Sequence, residues 1–293
     1  MLAMQMKLQV FVPRNETQLL RFLSARKEDV AIIAGGTNLL PLVRTRKNSF
    51  SWLADASHLS NLRYVRRRNG KIEIGALARI RDLRNNTLTK AGYASFAQVA
   101  DSFGSTAIAN VATVGGNIAV AASTSDLLPA LLSVDANVLL KSYQKEREMK
   151  VENFLVGQGQ TRRQAGEMIA GVSFDIPGTR SISSFRKIGR RTSTFLAVVS
   201  VAIFLSYNRN KSITQIGVAF NEIKHSTPGR ARNVESCLAG RVLNDRVIGE
   251  AVDRLKLDLP IALGTEARED YWNRASRNLL REQLQLCKSK MSG

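Results

Sequence analysis

Two stretches of the sequence decide its fold: Ala34-Gly35-Gly36-Thr37-Asn38 and Ala112-Thr113-Val114-Gly115-Gly116-Asn117. Each contains a glycine pair that follows an apolar run and leads into another one. Adjacent glycines allow positive φ angles and let a ligand approach main-chain N–H groups, because no Cβ stands in the way. The Thr and Asn that follow the pairs can add side-chain donors. The pattern predicts two loops that hold the two ends of one extended, phosphate-bearing ligand, although either pair alone would more often be a plain structural turn.

The length and composition are those of a globular protein with two domains. The chain has 293 residues, of which 44% are hydrophobic and 23% charged, enough for two separate cores. The longest apolar run, 196–205, is interrupted only by Ser200 and is too short to span a bilayer. It therefore predicts a buried strand, and with no signal peptide visible we expect a cytoplasmic protein without a membrane segment.

The few cysteines and histidines exclude several kinds of metal site. Cys237, Cys287, His58 and His225 are the only residues of these two types, and no Cys-x-x-Cys occurs. The chain alone can therefore build neither an iron–sulfur cluster nor a structural zinc site, and any such cluster must come from a partner. We expect both cysteines to be packing residues without a disulfide.

The net charge of +19 favours an acidic partner. The basic residues are scattered along the chain, and only 6% of the residues are aromatic. A platform for single-stranded nucleic acid would interleave the two types, and no helix-turn-helix or RNP-type motif is present. We therefore expect no nucleic-acid function.

Periodicity and turn residues predict an alternation of helices and strands. Pro177-Gly178 is the best domain boundary, which predicts domains at 1–178 and 179–293. The second domain is expected to contain three antiparallel strands. The predicted helices are 17–26, 93–103, 126–132, 234–239 and 266–286, and the predicted strands are 30–34, 52–55, 71–76, 134–140, 168–176, 183–187, 197–207 and 213–220.

Two charged residues are candidates for ligand contacts. Asp126 lies nine residues after Asn117 at the start of a predicted helix, so it is either a helix cap or an acceptor for a ribose or ribityl hydroxyl. Lys187 alternates with Phe185 and Gly189 on a predicted strand, so it would share their face. A cation there could favour the negatively charged reduced form of a flavin.

Nucleophilic catalysis has weak support. Ser123, Thr124 and Ser125 lie beside Asp126, but the nearest histidine downstream, His225, is about 100 residues away in an apparent turn. Nothing in the sequence positions a Ser-His-Asp site.

The ordered motifs resemble the FAD-binding subunit of molybdenum hydroxylases, a family that includes xanthine dehydrogenase flavin subunits and carbon monoxide dehydrogenase medium subunits. The resemblance covers nearly the whole chain. Its motifs are 32–40, 113–118 through Asp126, 131–136, 185–191 and 238–240.

The resemblance implies an α+β fold, with a two-subdomain FAD-binding domain of the vanillyl-alcohol-oxidase type and a small α/β C-terminal domain with an antiparallel sheet. It implies a molybdopterin-binding large subunit and a [2Fe-2S] small subunit as partners, with electrons leaving FAD to NAD or another acceptor. No residue of this chain need act as a general acid or base. The implied cofactor-binding residues are Ile32, Ile33, Ala34, Gly35, Gly36, Thr37, Asn38 and Leu39 at the pyrophosphate, Thr113, Gly115, Gly116 and Asn117 completing the cradle, Phe103 near the flavin, Asp126 at the ribityl chain and Lys187 at the isoalloxazine.

Several positions depart from the family pattern. Ala107 and Ala109 stand where an amide and a cation are usual, Ala122 where a serine is usual, Phe195 where an acidic residue is usual, and Asn38 where Asp is common. These departures support an alternative, in which the chain is a degenerate family member that acts as a non-catalytic scaffold.

Overall fold

The computed structural model describes residues 8–45, 49–87, 92–189, 197–222, 227–259 and 266–292. Three sheets of three or more strands organise this part of the chain, and each shares a hydrophobic core with helices.

The N-terminal segment forms a small parallel sheet with strand order β1-β3-β2. The helix that precedes β2 begins after Asn15, whose side chain accepts a hydrogen bond from the N–H of Gln18, as expected of an N-cap. Leu19, Leu20 and Leu23 form its buried face. The elements are β1 (Gln9–Phe11), α1 (Glu16–Arg26), β2 (Val30–Ile33), α2 (Leu39–Arg44) and β3 (Trp52–Asp55).

A five-stranded antiparallel sheet follows, with the order β4-β5-β10-β6-β7. Asn69 and Gly70 join its first two strands, and both have positive φ, 50° and 73°, the geometry of a tight hairpin turn. The strands are β4 (Val65–Arg68), β5 (Lys71–Gly75), β6 (Asn137–Lys141), β7 (Glu146–Lys150) and β10 (Met168–Asp175), with a two-stranded ribbon of β8 (Leu155–Gly157) and β9 (Gln160–Thr161) between the last two.

Along the described chain, six short helices lie between the strands of this sheet, most of them between β5 and β6. All of them except α5 contribute to one core cluster, together with β5, β6, β10 and one face of the C-terminal sheet. The helices are α3 (Ile80–Arg84), α4 (Ala94–Ser102), α5 (Thr106–Val111), α6 (Val114–Val120), α7 (Leu127–Ser133) and α8 (Val151–Phe154).

The C-terminal part is an antiparallel sheet of order β11-β12-β13-β14 with three helices. Strand β12 carries apolar residues on both faces, because both faces of the sheet are covered. Ala202 and Phe204 belong to the core shared with α4 and α7, whereas Val201 and Ile203 belong to the core made with the C-terminal helices. The elements are β11 (Ser181–Gly189), β12 (Ala197–Tyr207), β13 (Ile213–Glu222), β14 (Gly229–Arg230), α9 (Arg232–Leu238), α10 (Asp245–Asp258) and α11 (Glu266–Ser292).

The fold class predicted from the sequence is confirmed, including the antiparallel C-terminal sheet. The predicted elements did not include the short helices α2, α3, α5 and α8 or the strand β7, and three further details were wrong. The second glycine segment is the first turn of α6 and not a loop. Strand β6 begins at Asn137, because Val134 and Asp135, the latter with φ of 53°, form the turn after α7. Helix α10 was missed altogether.

The division at residue 178 stays a prediction. No helix in the described ranges combines the length and the apolar character needed to cross a membrane.

Candidate functional site

The first glycine pair forms a turn between β2 and α2 that leaves its backbone donors available. Gly36 has φ of 68°, a conformation that favours glycine, and its carbonyl accepts the N–H of Leu40 at 3.0 Å, at the start of α2. The N–H groups of residues 35–38 donate to no acceptor within the described ranges. Four consecutive donors are therefore free to bind an anion, and the implied residues Ile32, Ile33 and Leu39 flank them on β2 and α2.

The structure brings the two glycine segments together. A Cβ on Gly35 would lie 2.0 Å from the carbonyl oxygen of Val111, immediately before the second segment. A Cβ on Gly115 would lie 2.7 Å from the Cβ of Ala76 at the end of β5. Both distances are far below van der Waals contact, so only glycine allows these backbones to pack.

The second segment uses its backbone donors inside the protein. The N–H groups of Val114 and Gly115 donate to Ala78 and Ala76 carbonyls at 2.9 and 2.8 Å. The N–H of Gly116 donates to Thr113 Oγ1 at 3.1 Å, so Thr113 is the N-cap of α6. The N–H of Asn117 donates to the Thr113 carbonyl. This segment therefore offers a ligand its shape and the Asn117 side chain, whereas the first offers N–H groups.

Asp126 and Lys187 form a buried ion pair. Lys187 Nζ lies 2.6 Å from Asp126 Oδ2, and the two side chains are only 2% and 8% exposed. Burial raises the pKa of Asp126, opposed by the charge and hydrogen bond of Lys187. Asp126 occupies the N-cap position of α7, at the helix start that the sequence predicted, but its side chain makes no capping hydrogen bond.

Lys187 begins a row of polar side chains across the C-terminal sheet. It lies opposite Ser200, and Ser200 lies opposite Asn221. Phe185 is paired with Ala202 on the same face, as the alternation in the sequence predicted. All three polar residues of the row are buried.

The row contacts the chain between α6 and α7. Asn221 Nδ2 donates to the Ser125 carbonyl at 3.4 Å, and Ser125 Oγ donates to the Asn117 carbonyl at 3.2 Å. Ser125, next to Asp126 in the sequence, thus connects Asn117 of the second glycine segment to Asn221 of the C-terminal sheet.

Four buried oxygen atoms of this region share an unusual property. Each has less than 1 Å² of exposed surface and no hydrogen-bond partner within the described chain. Buried polar atoms are normally satisfied, so such a concentration points to a polar ligand. The atoms are Asn117 Oδ1, Asp126 Oδ1, Ser200 Oγ and Asn221 Oδ1, and we call them the acceptor cluster.

Sequence reasoning missed Ser200 and Asn221. Ser200 is the only polar residue in the longest apolar run, which was a usable signal. Asn221 follows the predicted strand 213–220, and only the extension of β13 to residue 222 places it in register with Ser200.

Phe103 and the positions that depart from the family pattern are not part of the acceptor cluster. Phe103, at the C-terminal end of α4, is partly buried and packs against the core shared by the sheets. Ala107 is exposed and Ala109 buried on α5, Ala122 is half-buried after α6, and Phe195 lies outside the described residues.

A cavity elsewhere involves none of these residues. It has a volume of about 470 Å³ between α9 and α10, and Cys237, Arg241 and Glu250 are among its lining residues. Arg241 Nη1 donates to Glu250 Oε2 at 2.7 Å, so the lining charges already compensate each other. The acceptor cluster and the first glycine turn provide the stronger chemical case, because their polar groups lack partners.

Both cysteines are free, as expected, with Cys287 fully buried. Burial raises the pKa of its thiol to about 11. The described residues contain no group of three or more His, Cys, Asp or Glu side chains arranged to hold a metal ion.

Two family models match the chain. The FAD binding domain in molybdopterin dehydrogenase matches residues 5–177, and the CO dehydrogenase flavoprotein C-terminal domain matches residues 183–286.

Individual relatives are also named as subunits of dehydrogenases. The chain is 27% identical over 239 residues to the glyceraldehyde dehydrogenase medium chain of Sulfolobus acidocaldarius, covering 81% of this chain and 83% of that one. It is 33% identical over 172 residues to the nicotinate dehydrogenase FAD-subunit of Eubacterium barkeri, covering 58% of each.

Solved structures share the fold. A chain of reconstituted CO dehydrogenase from Oligotropha carboxidovorans superposes with a TM-score of 0.88 at 20% identity, covering 97% of this chain and 98% of that chain. Quinoline 2-oxidoreductase from Pseudomonas putida 86 gives a TM-score of 0.86 with the same identity and coverage.

Proposed function

The chain belongs to the FAD-binding subunits of the molybdenum hydroxylase family, and from that premise we propose that it passes electrons from a partner iron–sulfur subunit through FAD to NAD or another acceptor. FAD as the cofactor and oxidoreductase as the class follow from the family. The acceptor, the partners and the residues that bind FAD are the proposal.

One observation carries the proposed site: unpartnered backbone donors and unpartnered buried acceptors lie at its two ends. The N–H groups of residues 35–38 suit the anionic pyrophosphate. The acceptor cluster suits a group rich in O–H and N–H donors, such as the ribityl chain and the flavin ring. Val111 links the two ends, since it contacts Gly35 and directly precedes the segment that carries Asn117.

FAD, when bound, supplies the transfer of electrons and hydride, and this chain supplies position and electrostatics. Gly35 and Gly36 keep the main chain open to the pyrophosphate, and Thr37 and Asn38 extend the same turn. Thr113 caps the first turn of α6, and the Asn117 backbone carbonyl accepts a hydrogen bond from Ser125 Oγ.

Lys187 is electrostatically different from a lone cation. Its ammonium is already paired with the Asp126 carboxylate at 2.6 Å. The pair would therefore present a short dipole to a bound flavin, with the unpartnered Oδ1 of Asp126 as an acceptor. The preference for a negatively charged reduced flavin is smaller than a lone lysine would produce.

The departures from the family pattern that lie in the described residues leave these groups in place. Ala107 is exposed on α5 and Ala122 is half-buried, whereas the glycine turn and the acceptor cluster are intact. This favours a cofactor-binding subunit over the alternative of a scaffold without flavin.

The proposed partners are a molybdopterin-binding large subunit and a [2Fe-2S] small subunit. The relatives are named as medium chains and FAD-subunits, which accords with a multi-subunit complex. The net charge of +19 suits contact with acidic surfaces. A cytoplasmic location stays a prediction.

The test is reconstitution of the purified chain with FAD, followed by removal of free flavin and measurement of the absorption spectrum. We expect about one FAD per chain, because the site is built within this subunit. A folded protein that co-purifies with its partners but retains no flavin would support the scaffold and contradict the proposal. Stopped-flow mixing of the reduced complex with NAD or oxygen then identifies the acceptor.

A further inference from the structure

The acceptor cluster contains two residues, Ser200 and Asn221, that lie beyond the glycine segments and the Asp126–Lys187 pair. Both belong to the C-terminal sheet, on adjacent strands β12 and β13. Ser200 is 0% exposed and Asn221 1% exposed. Neither is required by the sheet itself, because its ladder uses backbone groups only.

The environment of Ser200 makes its hydroxyl costly in the free protein. It lies in a strand whose other residues from Val198 to Leu205 are apolar and buried. Its Oγ has no partner among the described residues. A buried hydroxyl without a hydrogen bond destabilises the fold, so a ligand that satisfies it would recover that loss.

Asn221 is held in place with one end unused. Its Nδ2 donates to the Ser125 carbonyl, which fixes the amide and leaves Oδ1 as a buried acceptor without a described partner. Since Asn117 Oδ1 and Asp126 Oδ1 are acceptors too, three of the four unpartnered atoms are amide or carboxylate oxygens that only accept, and the fourth, Ser200 Oγ, can accept as well. A ligand with several donors would therefore complement it.

We propose that Ser200 and Asn221 bind the flavin half of FAD, with their oxygens accepting hydrogen bonds from the ribityl hydroxyls or from the ring N–H. This rests on the proposed FAD site and extends it along the C-terminal sheet, from Lys187 on β11 to β12 and β13. The flavin half of FAD carries the ribityl O–H groups and the ring N–H, whereas the pyrophosphate offers only acceptors and belongs at the N–H groups of residues 35–38.

The test uses Ser200→Ala, with Ser173→Ala as the matched control. Ser173 on β10 is also a buried serine, 1% exposed, whose Oγ lacks a described partner, but it lies between Glu73 and Asn137 on the five-stranded sheet, whereas Ser200 and Asn221 lie on the C-terminal sheet. In both variants we expect the flavin-free protein to melt about 2–4 °C higher, because an unsatisfied buried hydroxyl is removed.

The two variants should differ in binding. We expect Ser200→Ala to bind FAD roughly tenfold more weakly, measured by flavin fluorescence titration, and Ser173→Ala to bind it as the wild type does. Competition by ADP, which lacks the flavin half, should be unchanged in both. Asn221→Ala should weaken FAD binding further, since it removes an acceptor and the bond to Ser125.

Three results would overturn the inference. Wild-type FAD affinity in Ser200→Ala shows that the hydroxyl does not contact the cofactor. Weaker ADP competition in Ser200→Ala places the cluster at the adenosine half. Equal loss of FAD affinity in Ser200→Ala and Ser173→Ala indicates a general structural effect. Failure of the wild type itself to bind FAD would instead refute the proposed function, so the two failures are distinguishable.

Discussion

Replacing Gly35 by alanine tests whether the contact between the two glycine segments shapes the pyrophosphate site. The added Cβ would lie 2.0 Å from the Val111 carbonyl oxygen and 3.1 Å from the Ala112 Cα. Both are backbone atoms, so no side-chain rotation can relieve the overlap. The φ of Gly35 is not in the left-handed region, so the effect would be steric and not due to backbone strain.

The magnitude follows from the shift required. The turn and the end of α5 must separate by about 1 Å, and overpacking of this kind costs about 1–3 kcal/mol. For a chain of this size that lowers the melting temperature by about 3–9 °C. The displacement also moves the N–H groups of residues 35–38, and the loss of one charge-assisted hydrogen bond weakens FAD binding by about 10- to 100-fold.

Two control substitutions separate these effects. Gly217→Ala places a Cβ 1.9 Å from the Ser133 carbonyl, at the end of α7 remote from Asp126, so it should destabilise the fold but largely preserve FAD affinity. Gly249→Ala lies in α10 with no atom within 4 Å of the new Cβ, and it should stabilise the protein by about 0.5–1 kcal/mol.

The assay combines thermal unfolding of the flavin-free protein with FAD titration well below the melting temperature. If Gly35→Ala matched the wild type in both measurements, the segments would have to separate without consequence, and the reasoning from their contact would be refuted. A stability loss with unchanged FAD affinity would show that the turn does not bind the pyrophosphate.

Lys187→Met should destabilise the protein by about 3–5 kcal/mol in urea unfolding, because it leaves the Asp126 carboxylate buried without its cation. The double variant Lys187→Met/Asp126→Leu should recover most of that loss. Equal losses in the single and double variants would show that the pair is not coupled. Glu167, although largely buried, has a lowered pKa because of its hydrogen bonds from an arginine and from the Gln164 N–H. The stability that ionised Glu167 contributes is therefore present above its unfolded pKa of 4.5 and is lost as the pH falls through the lower folded pKa. Melting temperatures from about pH 6 to pH 3 should fall more steeply in the wild type than in Glu167→Gln. Parallel curves would contradict this. In the native protein a thiol reagent at neutral pH should label half-buried Cys237 but not Cys287, whose pKa of about 11 leaves little thiolate. Both cysteines should react in denaturant. Rapid labelling of Cys287 in the native protein would show that it is accessible.

Much of the fold could be predicted from local patterns. The strand at Trp52–Asp55 and the bounds of β12 at Ala197–Tyr207 agree with the predictions, because alternation and long apolar runs are local properties of the chain. Helix α10 was missed although Asn244 caps it and five of its residues are buried at helical spacing. The second glycine pair was predicted as a loop because adjacent glycines allow positive φ angles, but the Thr113 cap and the bonds to Ala76 and Ala78 hold it in the first turn of a helix.

The sequence by itself determined that this chain has an open glycine turn after β2, two candidate charges at positions 126 and 187, and no means of building an iron–sulfur cluster. These conclusions depend on residue type and on short-range spacing. Only the tertiary structure decided that Asp126 and Lys187 neutralise each other across 61 residues, that Gly35 packs on Val111, and that Ser200 and Asn221 lie in register with Lys187 on the C-terminal sheet. The physical reason is that burial and pairing are properties of neighbours in space, and strand register brings those neighbours together from distant parts of the chain.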